Sequence, residues 1–176
     1  MKGEVKSFKT KFGAVKFFVR NGTLDEYIVR EVFKKKGGGA YQHLNIQKGD
    51  RVLDLGLNIG TFTVSALLQG AAMVEAYEPM PDNFDLAMHN IINLNGFEER
   101  FLLHKAAVVG EAPESNLVSF YVNLKKNKGI HSTLRKRGRE EIRVPAIPFQ
   151  IVMSSFRPDV IKMDIEGAEY DCQDQG

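Results

Sequence analysis

Val5 to Val19 reads as two short strands around Gly13, with apolar positions recurring at Val15, Phe17 and Val19. Asn21-Gly22 is a turn signal. Thr23 with Glu26 three residues later has the spacing of a capping box, which predicts a helix start. Ile28, Val29, Val32 and Phe33 then share one helical face, with Lys34, Lys35 and Lys36 in the last turn and Gly37 to Gly39 as its stop. From Asp50 the pattern becomes an alternation of strand and helix. Arg51 to Leu55 predicts a strand, Thr61 to Gln69 a helix and Met73 to Tyr77 a second strand. Asp82 to Leu94 predicts a long amphipathic helix through Phe84, Ala87, Met88, Ile91 and Ile92, ended by Asn95-Gly96. Phe101 to His104 is a third strand, Leu117 to Asn123 and Glu141 to Val144 two more, and Val160 to Met163 a strand that reads as buried on both faces, with an edge position as the alternative.

Strands separated by helices imply right-handed crossovers and a parallel sheet. The expected fold class is therefore α/β, Rossmann-like and mostly parallel. Residues 1–39 form a hairpin-and-helix cover and residues 40–176 the sheet domain.

Composition changes little in this picture. With 176 residues, 43% hydrophobic, the chain has material for one ordinary core. The single cysteine, Cys172, forbids an internal disulfide, which fits a reducing compartment. No leader-like apolar run opens the chain and no segment approaches a bilayer span, so a cytoplasmic protein without membrane contact is expected. Net charge is +2, but its distribution is uneven. Lys125, Lys126, Lys128, Arg135, Lys136, Arg137 and Arg139 fall in one stretch without an acid, leaving the rest of the chain net acidic. Such a stretch reads first as a solvated loop, and otherwise as a lip that attracts an anionic substrate.

Three segments carry the chemistry. In Val52-Leu53-Asp54-Leu55-Gly56-Leu57-Asn58-Ile59-Gly60-Thr61 a strand enters a tight turn and then a helix. Gly56 and Gly60 allow close backbone approach to a ligand. Asn58 stands where a dinucleotide fingerprint has its second glycine, and Thr61 at its third. That spacing argues against nicotinamide and flavin, which need a pyrophosphate cradle, and leaves room for S-adenosylmethionine, which has no phosphate. Glu78 ends the second strand, 18 residues after Gly60, where a carboxylate can accept hydrogen bonds from both ribose hydroxyls. Asp164 and Glu166 fall at the carboxyl end of the last strand, where open parallel sheets bind ligands. Glu169, at the start of the next helix, is as readily structural.

The segments VLDLGLNIGTFTV, AYEPMPDNFDLAMHNIINLNG and VIKMDIEGAEY together resemble the FkbM-type methyltransferases, over about Val52 to Tyr170. The resemblance implies a class I methyltransferase sheet, S-adenosylmethionine as cofactor and, as the usual reaction, O-methylation of a sugar or other small or glycan-linked hydroxyl. It implies that Asp54, Gly56, Asn58 and Gly60 line the methionine side, that Glu78 binds the ribose, that Ala106 and Ala107 lie near the adenine, and that Asp164 sits close to the methionine amino group and the transferred methyl. His131-Ser132 falls where the family has a serine-containing loop. The family fold has further strands after Glu166, whereas this sequence stops at Gly176, so a truncated C-terminal half is expected. A fragment, or a sheet completed by homo-oligomer formation, would follow.

An alcohol acceptor needs a base, and Asp164, Glu166 and His131 are the candidates. His43, His89 and His104 have no partner motif and read as structural or surface residues. No His or Cys spacing supports zinc, and no metal is expected. Two alternatives stay open: a cofactor-binding but inactive fragment, and a nucleic-acid methyltransferase that uses the basic stretch, the less favoured partner class.

Overall fold

The computed structural model describes residues 2–34, 39–122 and 140–164. The chain opens with an antiparallel hairpin, β1 (Gly3–Thr10) and β2 (Gly13–Arg20), followed by helix α1 (Asp25–Val32). Strand β3 (Arg51–Leu55), helix α2 (Thr61–Gln69), strand β4 (Met73–Tyr77), helix α3 (Pro81–Met88) and strand β5 (Phe101–His104) form the alternating unit. Strands β6 (Ala107–Val109), β7 (Leu117–Val122) and β8 (Glu140–Pro148), helix α4 (Phe149–Phe156) and strand β9 (Val160–Met163) complete the described chain.

Among the described residues the main sheet has the order β5-β4-β3-β9, and every pairing in it is parallel. The chain runs outward from β3 through β4 to β5 and returns to the other side of β3 as β9. The gap between β3 and β9 is thus the point where strand order reverses, and the carboxyl ends there form a ligand crevice. A second sheet pairs β8 with β6 in parallel and with β7 antiparallel.

β3 shows why the alternating pattern yields this arrangement. Val52, Leu53, Asp54 and Leu55 are all fully buried, as expected of a central parallel strand covered on both faces. Side chains of a strand alternate between faces. Val52 packs with Val64 and Leu67 of α2 and with Phe17 and Val29 of the N-terminal unit in one continuous core. Leu53 and Leu55 face the other way, against Val152 and Phe156 of α4. Each such side chain contributes roughly 1.5–3 kcal/mol on burial.

Polar contacts dock the hairpin. Buried Asn90 accepts from the Phe18 N–H (2.8 Å) and donates to the Ile59 carbonyl (3.0 Å). Asn95 accepts from Lys16 N–H at 3.1 Å and donates to its carbonyl at 2.7 Å. These side chains satisfy the outer edge of β2, which a neighbouring strand would otherwise fill.

Several expectations are corrected. Thr23 and Glu26 do not form a capping box: the residue before α1 is Leu24, Thr23 bonds the Asp25 N–H (3.2 Å), and Glu26 pairs with Lys6 and Arg30. Lys34 lies beyond the end of α1, beside Glu31, while Lys35, Lys36, Gly37 and Gly38 lie outside the described residues. The long helix from Asp82 is α-helical only to Met88 and π-helical over His89–Leu94. The wider turn brings Asn90 and Asn95 onto the hairpin edge, a tertiary demand that the period does not record. β8 extends to Pro148, beyond the expected Val144, and runs into α4, which the apolar run Phe149–Phe156 did not announce as a helix. Val160, Ile161 and Met163 are half-buried, because β9 is the outermost strand of the described sheet. The buried side chain there is Lys162.

Candidate active site at the β3–β9 crevice

Gly56 leaves β3 with φ of +87°, and its N–H and that of Leu57 both donate to the Tyr77 carbonyl at 3.1 and 3.0 Å. A Cβ at Gly56 would overlap the Asp164 carbonyl oxygen, so only glycine fits between β3 and β9. Asn58 takes the left-handed conformation with φ of +51°, which aims its N–H at Glu78 Oε2 at 2.8 Å. Gly60 precedes α2, and a Cβ there would press on Ile91 and Ala87. Its small size serves the close packing of α2 on the next helix.

Glu78 is 5% exposed at the end of β4. Oε1 accepts from the Met80 N–H at 2.9 Å and faces Asn83 Nδ2 at 3.5 Å. Burial pushes its carboxyl up to about 7, against the opposing pull of the Met80 and Asn58 N–H donors.

Asp54 lies behind the bend. Its Oδ2 accepts from Thr63 Oγ1 at 2.8 Å, and its Oδ1 meets Lys162 Nζ at 3.1 Å as an ion pair without an aligned hydrogen bond. Burial raises the Asp54 carboxyl above its ordinary range, and Lys162 opposes that shift. The Lys162 ammonium also donates to the Gly56 carbonyl at 2.5 Å and the Leu55 carbonyl at 3.3 Å. Asp164, at the tip of β9, accepts from the Tyr41 hydroxyl at 2.8 Å. Tyr41 itself holds a φ of +67°, uncommon for an aromatic residue, and packs edge-on against Phe62 at 5.2 Å.

These groups surround one cavity of about 350 Å³. Gly56, Asn58 and Thr61 form one side, Glu78, Pro79 and Asn83 the next, and Ala106 to Val109 a third. Tyr27, Ile28 and Glu31 of α1 line it as well, as do Tyr41, Lys162 and Asp164. The volume lies within the range of small-molecule sites. Asn58 Oδ1 and Thr61 Oγ1 are buried without a hydrogen-bond partner in the protein. Orphaned polar atoms on a cavity wall are the mark of a site shaped for a polar ligand. Among the described residues no group of three His, Cys, Asp or Glu side chains is arranged to hold a metal.

Of the residues expected from the sequence, Gly56, Asn58, Glu78, Ala106, Ala107 and Asp164 line this cavity. Asp54 and Gly60 support it from behind. Glu166 and His131 lie outside the described residues, as do Ser132, Glu169 and the basic stretch from Lys125 to Arg139. Thr61, Asn83, Tyr41 and Lys162 belong to the site without having been singled out. Thr61 carried a signal, since it opens the helix directly after the bend. Lys162 sits two residues before Asp164, and a lysine inside an apolar strand calls for a buried partner.

The pattern of the FkbM methyltransferase domain matches residues 54–172. The chain belongs to the FkbM methyltransferase family. No curated protein matches the chain. Its structure is similar to that of the methyltransferase FkbM from Methylobacillus flagellatus, at TM-score 0.50 and 16% identity, over 83% of this chain and 32% of that one. It also matches a SAM-dependent methyltransferase from Agrobacterium tumefaciens at TM-score 0.40 and 15% identity, over 61% of this chain and 34% of that one. The FkbM-family chain thus spans about a third of the length of these two structures. The fold is the Rossmann-like methyltransferase fold, and S-adenosylmethionine is the cofactor that goes with this family. Among the described residues no helix is long and apolar enough to cross a membrane.

Proposed function

We propose that this FkbM-family chain is the cofactor-binding part of an O-methyltransferase whose acceptor is a hydroxyl of a sugar or of another small or glycan-linked compound. One observation carries the reading: a buried carboxylate at the end of β4, bonded to the backbone of the β3 bend, shares a cavity with the orphaned Asn58 and Thr61 oxygens. Glu78 would accept from the ribose hydroxyls, and Ala106 and Ala107 would flank the adenine. Gly56 and Asn58 would line the methionine side, with Asp164 toward its amino group. Thr61 opens α2, whose amino-terminal dipole favours a carboxylate. The bound cofactor supplies an electrophilic methyl group on a sulfonium.

The protein's own part is orientation, exclusion of water and handling of one proton. Holding donor and acceptor in line supplies several kcal/mol of the acceleration. Tyr27, Ile28 and Glu31 of α1 line the cavity and would shield a bound cofactor from water. A base near the acceptor hydroxyl adds about 10²–10⁴-fold, and of the candidates Asp164, Glu166 and His131, Asp164 is the one among the described residues and lines the cavity. Its Tyr41 partner holds the side chain in the cavity.

The test is calorimetric titration of S-adenosylmethionine into the chain and into Glu78→Ala, then turnover to S-adenosylhomocysteine with hydroxylated glycans and with RNA. Binding that is lost in the variant, with glycan turnover, supports the reading. Equal binding by both removes the ribose assignment, and turnover with RNA alone overturns the acceptor class.

A further inference from the structure

Glu78 is joined to the N-terminal unit by a buried polar chain. The Arg20 guanidinium grips Asp25 with two bonds, Nε to Oδ2 at 2.7 Å and Nη2 to Oδ1 at 2.8 Å. Asp25 Oδ2 also accepts from the Arg20 N–H at 2.9 Å. The remaining arm of the guanidinium, Nη1, donates to Asn83 Oδ1 at 2.8 Å. Asn83 Nδ2 then faces Glu78 Oε1. Arg20, Asp25, Asn83 and Glu78 are each no more than 5% exposed.

The chemistry of this chain fixes its direction. A guanidinium has donors and no acceptor, so Asn83 must turn its oxygen toward Arg20. Its amino group is thereby committed to the Glu78 side. Without Arg20 the amide is free to flip and to set an oxygen against a carboxylate. At 3.5 Å the last contact is long, so its value is orientation more than strength. It leaves Glu78 flanked by N–H groups on Met80, Asn58 and Asn83 at the cavity wall.

We propose that Asn83 is a positioning residue for the Glu78 carboxylate, held in the required amide orientation by the Arg20–Asp25 pair, so that the N-terminal hairpin and helix are part of the cofactor site. The inference rests on the reading of Glu78 as the ribose acceptor. Arg20 ends β2 and Asp25 begins α1, so the two flanks of one turn set the polarity of a carboxylate at the end of β4 through Asn83 of α3. The cover then acts on cofactor recognition as well as on closure.

The experiment compares S-adenosylhomocysteine with its 2′-deoxyribose analogue by calorimetry on the full chain. The wild type should prefer the ribose compound by about tenfold or more, the scale of one hydrogen bond to a charged group. Asn83→Leu should shrink that preference to about threefold or less, the ribose compound losing more affinity than the deoxy analogue. Arg20→Lys, which keeps the charge beside Asp25 but loses the planar fork, should do the same, and it carries the test if Asn83→Leu fails to fold. An equal loss toward both compounds would reveal a merely structural role and overturn the proposal. So would a full preference retained in both variants. Glu78→Gln separates the two layers: if that change leaves the preference intact, the ribose reading itself has failed.

Discussion

Lys162 Nζ lies 3.1 Å from Asp54 Oδ1, with the two side chains 4% and 0% exposed and the same ammonium bonded to the Gly56 carbonyl. A residue of β9 and a residue of β3 are therefore joined beside the Gly56 bend that lines the cavity. A buried pair of this kind adds little net stability against an apolar replacement, but losing one partner leaves a charge uncompensated. Lys162→Met should lower stability by about 3–5 kcal/mol, read from denaturant melts. The double variant Asp54→Leu with Lys162→Met should recover much of that loss. Recovery of stability without recovery of S-adenosylmethionine binding would show that the ammonium shapes the bend and does more than neutralise Asp54.

Gly56→Ala meets two obstacles, a φ of +87° and the Asp164 carbonyl oxygen in the space its methyl needs. The bend and β9 must separate to admit it. A loss of about 2–4 kcal/mol is expected, with loss of cofactor binding. Gly49→Ala is the control, since its positive φ of +99° carries a similar backbone cost with open space around the Cβ. It should cost about 1 kcal/mol and leave binding unchanged.

Glu78 makes stability depend on pH in a definite direction. Its carboxyl rises from 4.5 to about 7 in the folded protein. Between those values the folded chain keeps a proton that the unfolded chain has released, so the contribution of Glu78 to stability falls as pH rises through this window and is level above it. The drop is about 3 kcal/mol. The stability of wild type relative to Glu78→Gln should decline by that amount between about pH 4 and pH 8 in parallel melts. Ribose hydroxyls donate best to the ionised form. Affinity for S-adenosylhomocysteine should then rise about tenfold or more from about pH 5.5 to pH 8, and Glu78→Gln should abolish the rise.

Tyr41→Phe removes the hydroxyl that holds Asp164. The bond is exposed to water, so stability should change by no more than about 1 kcal/mol. If Asp164 meets the methionine amino group as proposed, S-adenosylmethionine should bind about three- to tenfold more weakly, because the carboxylate loses the partner that fixes its direction. Methylthioadenosine, which lacks that amino group, should bind the variant as it binds wild type. Equal losses for both compounds would place Tyr41 outside methionine recognition.

Local pattern was enough for the hairpin, for β3, α2, β4, β5 and β9, and for placing Glu78 and Asp164 at strand ends. Each of these depends on residues near one another in the chain. The period records which face is covered, and the glycine bend and the strand-end acid follow from the alternation of strand and helix. The family motif lies in the same short segments, so it was legible there too.

Tertiary structure alone decided what those residues touch. Asp54 stands two residues before Gly56 in the motif, yet its carboxylate is taken up by Thr63 and Lys162 and does not line the cavity. Lys162 finds the Gly56 carbonyl 106 positions away, Tyr41 finds Asp164 123 positions away and Arg20 finds Asn83 63 positions away. A periodic pattern carries burial but not the identity of the partner. Where a buried charge or amide must be matched donor to acceptor, that identity is set when the chain folds the hairpin over the sheet.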